Sequence, residues 1–265
     1  MKLIRMSILV GTSVIALAGC GGNTASPSSA AQPSREPTAS KSASPTSPAG
    51  GLPQGSDPVT LDPTSFVAEI THPYWPMPVG ARWTYSEVDA DGTEFKVVVD
   101  VRDETKEILG IATTVVHDQV THDGEIVEDT TDWYAQDADG NLWYMGEDTA
   151  EYENGEIVST EGSWEAGVDG AQPGIILPAV PEVGQAYRQE YLEGQAEDEA
   201  IIVSISDRVV SDAGEYENAI ATRESTPLEP AVLEYKWYAP RVGIVEALGI
   251  SPDFSREQLT HVDGL

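Results

Sequence analysis

The chain has 265 residues, with 45 acidic against 14 basic side chains and a formal net charge of −31. Four of the basic residues but only two of the acidic ones precede Leu61, so the 205 residues from there on carry −33 and enough length for one sizeable core. Such a charge repels phosphate backbones, which excludes nucleic acid as a partner, and it attracts cations. Its plainest reading is a hydrated, soluble surface. The single cysteine, Cys20, rules out an internal disulfide, so stability must come from burial.

In chain order, Lys2 and Arg5 precede an uncharged run from Met6 to Ala18, which closes on Leu17-Ala18-Gly19-Cys20. A positive start, an apolar middle and small residues make an export signal. The run of 13 residues, interrupted by Ser7, Gly11, Thr12 and Ser13, is short of the roughly 20 that a membrane-spanning helix needs. Leu-Ala-Gly-Cys resembles the bacterial lipobox. The resemblance implies a signal peptide over residues 1–19, a diacylglycerol on the Cys20 thiol with further acylation such as palmitate, and attachment to the extracytoplasmic face of the cell membrane through that lipid. Residues 20–60 then read as a tether rich in Ser, Pro, Ala, Thr and Gly, with too little to bury to offset the entropy of ordering. As a flexible coil it would span roughly 35 Å, and up to ~120 Å if extended. O-glycosylation of its Ser and Thr residues is compatible with that composition.

Residues 61–265 read as an acidic all-β domain. Apolar residues alternate or form short β-branched runs: Phe95–Val101, Thr113–Val116, Ile201–Ile205 and Tyr235–Tyr238. Asp91-Gly92, Asp123-Gly124, Asp139-Gly140 and Asn154-Gly155 supply turn residues, the last three 16 and 15 residues apart. This spacing predicts a meander of antiparallel hairpins, followed by strands near 186–194, 200–210, 217–225, 232–239 and 243–248. Ten to twelve strands should curl into a barrel, a half-barrel or two packed sheets. Helix is minor, limited to short turns at Asp62-Pro63 and Pro252-Asp253. Gly162–Gly184 reads as a long ordered loop.

Candidate sites are few. Asp137, Asp139 and Asn141 alternate oxygen ligands as a calcium loop would, but Gly140 falls at the fourth place of the pattern rather than the sixth. A hairpin turn, with Asp137 opposite Leu142 and Gln136 opposite Trp143, is the first reading; a Ca²⁺ site is the second. In that register Tyr134 and Trp143 share one face, and Trp133 and Tyr144 the other. The four form either cross-strand packing or an amphipathic wall for a small molecule or glycan. His117 and His122 are five apart on one strand and point to opposite faces, so they cannot share a metal. Across the next turn Asp118 should face Asp129, and His122 should face Glu125. Hydrolase, phosphate-loop and dinucleotide motifs are absent, and Ser163 lacks an identifiable base. The balance is against an enzyme, although paired-carboxylate hydrolysis stays open.

Two stretches carry a further resemblance. His72-Pro-Tyr-Trp-Pro-Met-Pro-Val-Gly-Ala-Arg-Trp-Thr-Tyr85 resembles the entry motif Asn-Pro-Tyr-Phe-Pro-Leu-x-Pro-Gly-x-x-Trp-x-Tyr of a group of secreted bacterial β-rich lipoproteins without an established activity. It departs from that motif at His72 and Val79. Asp132–Tyr144, Gly162–Gly167 and Trp237–Val245 look like the same group. The leading expectation is a membrane-tethered ligand-binding or interaction module. Behind it stand a cation-binding or structural envelope protein, and an extracytoplasmic hydrolase.

Overall fold

The computed structural model describes residues 51–265; Cys20 and most of the expected tether lie outside them. The segment opens with a 3₁₀ turn, Pro63–Ser65, capped by Asp62, whose Oδ1 accepts from the Thr64 amide and hydroxyl. Eighteen strands follow. The first eight are β1 (Phe66–Val67), β2 (Thr71–His72), β3 (Trp75–Pro76), β4 (Arg82–Asp89), β5 (Glu94–Ile108), β6 (Ile111–His122), β7 (Glu125–Asp137) and β8 (Leu142–Glu153). Then come β9 (Glu156–Ser159), β10 (Trp164–Glu165), β11 (Gln172–Leu177), β12 (Ala186–Arg188), β13 (Glu190–Tyr191) and β14 (Glu199–Ser211). The last four are β15 (Gly214–Ser225), β16 (Leu233–Ala239), β17 (Gly243–Ser251) and β18 (Ser255–Asp263).

The fold is all-β and antiparallel, a nearly closed barrel with a small second sheet formed by β2 and β3. The main order runs β12-β14-β15-β16-β17-β18-β4-β5-β6-β7-β8-β11-β13. Its two ends are consecutive in the chain, separated only by Gln189. The sheet therefore curls until one short strand, 186–191, meets β14 on one side and β11 on the other. Long strands explain the curling, because twist accumulates along strands of 12 to 15 residues such as β5 to β8.

Alternation decides which side chains enter. Trp83 and Tyr85 on β4 lie opposite Val99 and Val97 on β5, and all four are buried. The β2–β3 hairpin plugs the barrel. Trp75 sits against Trp83, Tyr134 and Tyr238 with ring centroids 5.7 to 6.5 Å apart. Gly243, at φ +106°, makes room for it: a Cβ there would lie 2.5 Å from the indole. The segment His72–Tyr85, which carries the resemblance, thus serves packing. Buried His72 bonds through Nε2 to the Pro178 carbonyl, and burial lowers its pKa.

Four expectations change. Gly162–Gly184 is not all loop, since it contains β10 and β11, and β11 is a buried strand on β8. Pro252-Asp253 forms no helical turn; it lies in the β17–β18 connection. Residues 52–59, read as part of the tether, dock on the barrel. The hairpin registers are off by one: Gln136 pairs with Leu142 and Ala135 with Trp143, while Asp118 faces Thr130 and Gln119 faces Asp129. The first slip comes from a turn one residue longer than expected, with Asp137 N donating to Asn141 O, and the break at Trp133/Tyr134 restores the expected register beyond it. The break at Val120/Thr121 causes the second, since one extra residue on one strand moves its side chains across the sheet. His122 does face Glu125.

Candidate functional site

Inside the barrel the apolar lining gives way to acid. Glu234, Lys236 and Tyr238 alternate inward on β16, opposite Glu224 and Thr222 on β15. Lys236, 4% exposed, places Nζ 2.6 Å from Glu224 Oε2 and 3.0 Å from Glu234 Oε2. Thr222 donates its hydroxyl to the other Glu224 oxygen at 2.8 Å. Burial alone would lower the Lys236 pKa, but the two carboxylates reverse that and hold it well above the usual range. Burial raises Glu234 despite the lysine, and it raises Asp198 to about 7.

A second acidic group continues across β7, β8 and β13. Tyr144 donates to Asp132 Oδ1 at 2.6 Å, yet burial still lifts Asp132 to about 7. Glu190 Oε2 accepts from Trp164 Nε1 at 2.7 Å; burial, then Asp198, pushes its pKa well up. Glu147 is 1% exposed, and neither of its oxygens has a hydrogen-bond partner. Burial and the neighbouring Glu190 and Asp132 keep it well above the carboxylate range. Asp118, also buried, is raised by burial and by Asp132. The interior therefore holds protons at neutral pH. An unpaired buried carboxylate is costly, and protonation is the way out.

Two spaces adjoin this network. One is an interior cavity of about 20 Å³, lined by Trp75, Tyr134, Tyr144, Glu190, Lys236 and Tyr238 among others. It suits about one water molecule, and no acyl chain. The other is a surface recess of about 180 Å³ at the barrel seam, bounded by Gly55, Ser56, Arg188, Glu190, Tyr191, Glu197, Glu199 and Pro227. Glu190 lines both.

The residues singled out from sequence separate in the structure. Tyr134 and Tyr144 stack at 5.0 Å between ring centroids and line the interior cavity. Trp133 and Trp143 point away from it. Lys106 Nζ covers the Trp133 ring at 3.2 Å, and Phe66 packs 6.3 Å from Trp143. All four aromatics are under 10% exposed, so they form no open platform for a glycan. Asp137 accepts from the amides of Gly140 and Asn141, from Asn141 Nδ2 and from Trp143 Nε1, each at 2.8 Å. Asn141 Oδ1 accepts from the Ala179 amide, and Asp139 is exposed. These oxygens build the turn. Among the described residues no three acidic, His or Cys side chains are placed to hold a metal. His117 is fixed between Arg102 and Asp129.

The buried lysine cluster was missed. Its signal was present: Glu234, Lys236 and Tyr238 share one face of a strand, and Lys236 is one of only three lysines beyond Leu61.

No family model and no curated protein matches this chain. Among solved structures, a Bacteroides fragilis protein described as exported and of YmcC-like fold aligns at TM-score 0.40 and 17% identity, over 72% of this chain and 99% of its own. A Parabacteroides distasonis protein described as a lipoprotein aligns at 0.40 and 13%, over 72% and 98%. Likeness at this level carries no argument about function.

Proposed function

We propose that this protein is a lipid-anchored, extracytoplasmic binding domain, and that its seam recess takes a small organic cation. The observation that carries the reading is the recess itself: Glu197 and Glu199 beside about 180 Å³, with the Tyr191 ring, a buried Glu190, and an Arg188 whose guanidinium is taken up by backbone carbonyls. A domain at −33 raises the local concentration of cations and speeds their encounter. The volume is below the roughly 300 Å³ at which drug-sized pockets begin, so the ligand has few heavy atoms, as a diamine does. The interior cavity beside Glu190 and Lys236, about 20 Å³, is too small for a hydrophobic ligand. The lack of converging metal ligands among the described residues favours an organic cation over a metal ion.

The binding half is tested by calorimetry with putrescine, butanediol and succinate, which match in length and differ in charge, at about 0.15 M NaCl to screen the general field. Putrescine alone should bind, and the Glu197→Gln/Glu199→Gln variant should lose at least tenfold in affinity. Equal binding of butanediol, or an unchanged variant, would contradict it. Anchoring rests on Cys20. With Cys20→Ala, a metabolic fatty-acid label should no longer enter the protein; label retained in the variant would overturn the lipid anchor.

A further inference from the structure

The seam is the weakest part of the barrel wall. Strand 186–191 pairs through three residues with β14 and through two with β11. A separate segment, Leu52–Val59, crosses it. Arg188 N donates to Pro53 O at 2.8 Å, and Gln54 Nε2 donates to Ala186 O at 2.6 Å. Arg188 Nη1 donates to Gly55 O and Asp57 O at 2.6 and 2.8 Å, while Nη2 donates to Pro173 O at 2.8 Å. The Val59 amide donates to Gln172 Oε1 at 3.0 Å. The segment thus bonds to β12 at residues 186 and 188 and to β11 at residue 172, with Arg188 extending the contact to Pro173. Pro53 is buried, and Leu52 and Val59 pack on the core.

We propose that residues 52–59 are a strap that bolts the barrel seam and walls the recess, so that ligand binding and strap docking are coupled. This rests on the reading of the recess as a binding site. Arg188 is the hinge pin of the arrangement. It is 1% exposed, and its guanidinium is held by three carbonyls, two of them from the strap. Burial lowers its pKa to about 10, so it remains charged at neutral pH. If the strap lifts, a buried guanidinium loses two of its three acceptors and must seek water, which opens the seam beside Glu190. Gly55 and Ser56 leave the recess wall at the same moment. Linkage requires reciprocity: a solute that binds only the walled recess holds the strap down by the same factor that the docked strap adds to its affinity. The strap is also the stretch through which the chain expected to run from Cys20 enters the barrel, so displacement of the tether reaches the recess directly.

Hydrogen exchange on the full mature chain tests this, because the Arg188 amide bonds to the strap and the Gln189 amide bonds to Asp198 O across the seam. Wild type, Gln54→Ala and Arg188→Met are compared with and without putrescine. Loss of one hydrogen bond in Gln54→Ala should speed exchange at Arg188 and Gln189 about fivefold; Arg188→Met should do so at least a hundredfold. Amides of β5 to β8 should keep wild-type protection in both, which also reports folding. If Arg188→Met loses that protection, Gln54→Ala alone carries the test. Putrescine should slow exchange of the strap amides from Gln54 to Asp57 in wild type, and it should bind Gln54→Ala more weakly. Unchanged exchange at Gln189 in Gln54→Ala, or wild-type putrescine affinity in that variant, would overturn the strap. Absence of putrescine binding to wild type would overturn the recess reading and the coupling, leaving the seam bolt to be judged on the exchange of the variants.

Discussion

Lys236 and Glu147 show how differently two buried charges behave in one interior. Lys236 has carboxylate partners at 2.6 and 3.0 Å, so removing it strands them. Lys236→Met should destabilise by about 3–5 kcal/mol near pH 8, and by less near pH 5, because burial raises the pKa of Glu234 and a proton there relieves the stranded charge. Glu147 has no partner to lose. Glu147→Gln should leave stability near pH 5 almost unchanged and raise it by about 1 kcal/mol or more near pH 8, where the unfolded carboxyl is ionised and burial resists ionisation of the folded one. Urea denaturation of each variant at both pH values checks the pair; equal losses at both pH values would contradict it. Neither residue stood out in the sequence for a physical reason. In a chain with 45 acidic residues, abundance hides those that turn inward, and two charged residues on one face of an alternating strand, Glu234 and Lys236, read as its solvent face although Tyr238 shares it.

At the scale of elements, the Asp139-Gly140 hairpin was visible as a turn but not in its register. The turn is one residue longer than a two-residue hairpin: the Gly140 amide donates to Asp137 O, and Gly140 takes φ +101°. A type I turn followed by a left-handed glycine makes this shape. Asx-Gly pairs mark where strands reverse but not how long the turn is, which is why Tyr144 faces the side of Tyr134 rather than that of Trp133; bulges such as that at Val120/Thr121 leave no comparable mark. The strand that closes the barrel was legible near 186–194, but not its closing role, since two or three residues against each partner fix no register. Asp137 holds the turn through four N–H donors, so Asp137→Ala should cost about 2–3 kcal/mol. The loss should be the same with and without millimolar calcium at high salt. A calcium-dependent stability that vanishes in Asp137→Ala would restore the cation-loop reading.

For the molecule as a whole, the raised carboxyls set the direction of the pH dependence. A carboxyl whose folded pKa exceeds its unfolded value binds its proton more tightly when folded. Its contribution is complete below the unfolded pKa, near 4, and is lost as pH rises through the folded pKa. For Asp132 and Asp198, lifted from 3.8 to about 7, that window runs from about pH 4 to about 7. Self-repulsion at net −31 also grows as the surface acids ionise, so both effects act in one direction. The Arg82–Asp100, Arg208–Glu215 and Arg256–Glu246 pairs involve exposed arginines and oppose it weakly. The domain should therefore melt higher near pH 5 than near pH 8, the reverse of ordinary acid denaturation. A melting curve measured in both buffers at one ionic strength decides this, and a lower melting temperature near pH 5 would contradict it.

The recess connects these scales: one acid-rich barrel, one thin seam and one solute-sized space beside Glu190. Chemical-shift mapping of the isotope-labelled domain with putrescine at about 0.15 M NaCl tests that connection most directly. Saturable shifts are expected, confined to Ser56, Glu190, Tyr191, Glu197, Glu199 and their neighbours. Shifts scattered over the outer acidic face, or linear in concentration without saturation, would show that the protein attracts cations by its field alone and has no seat for them.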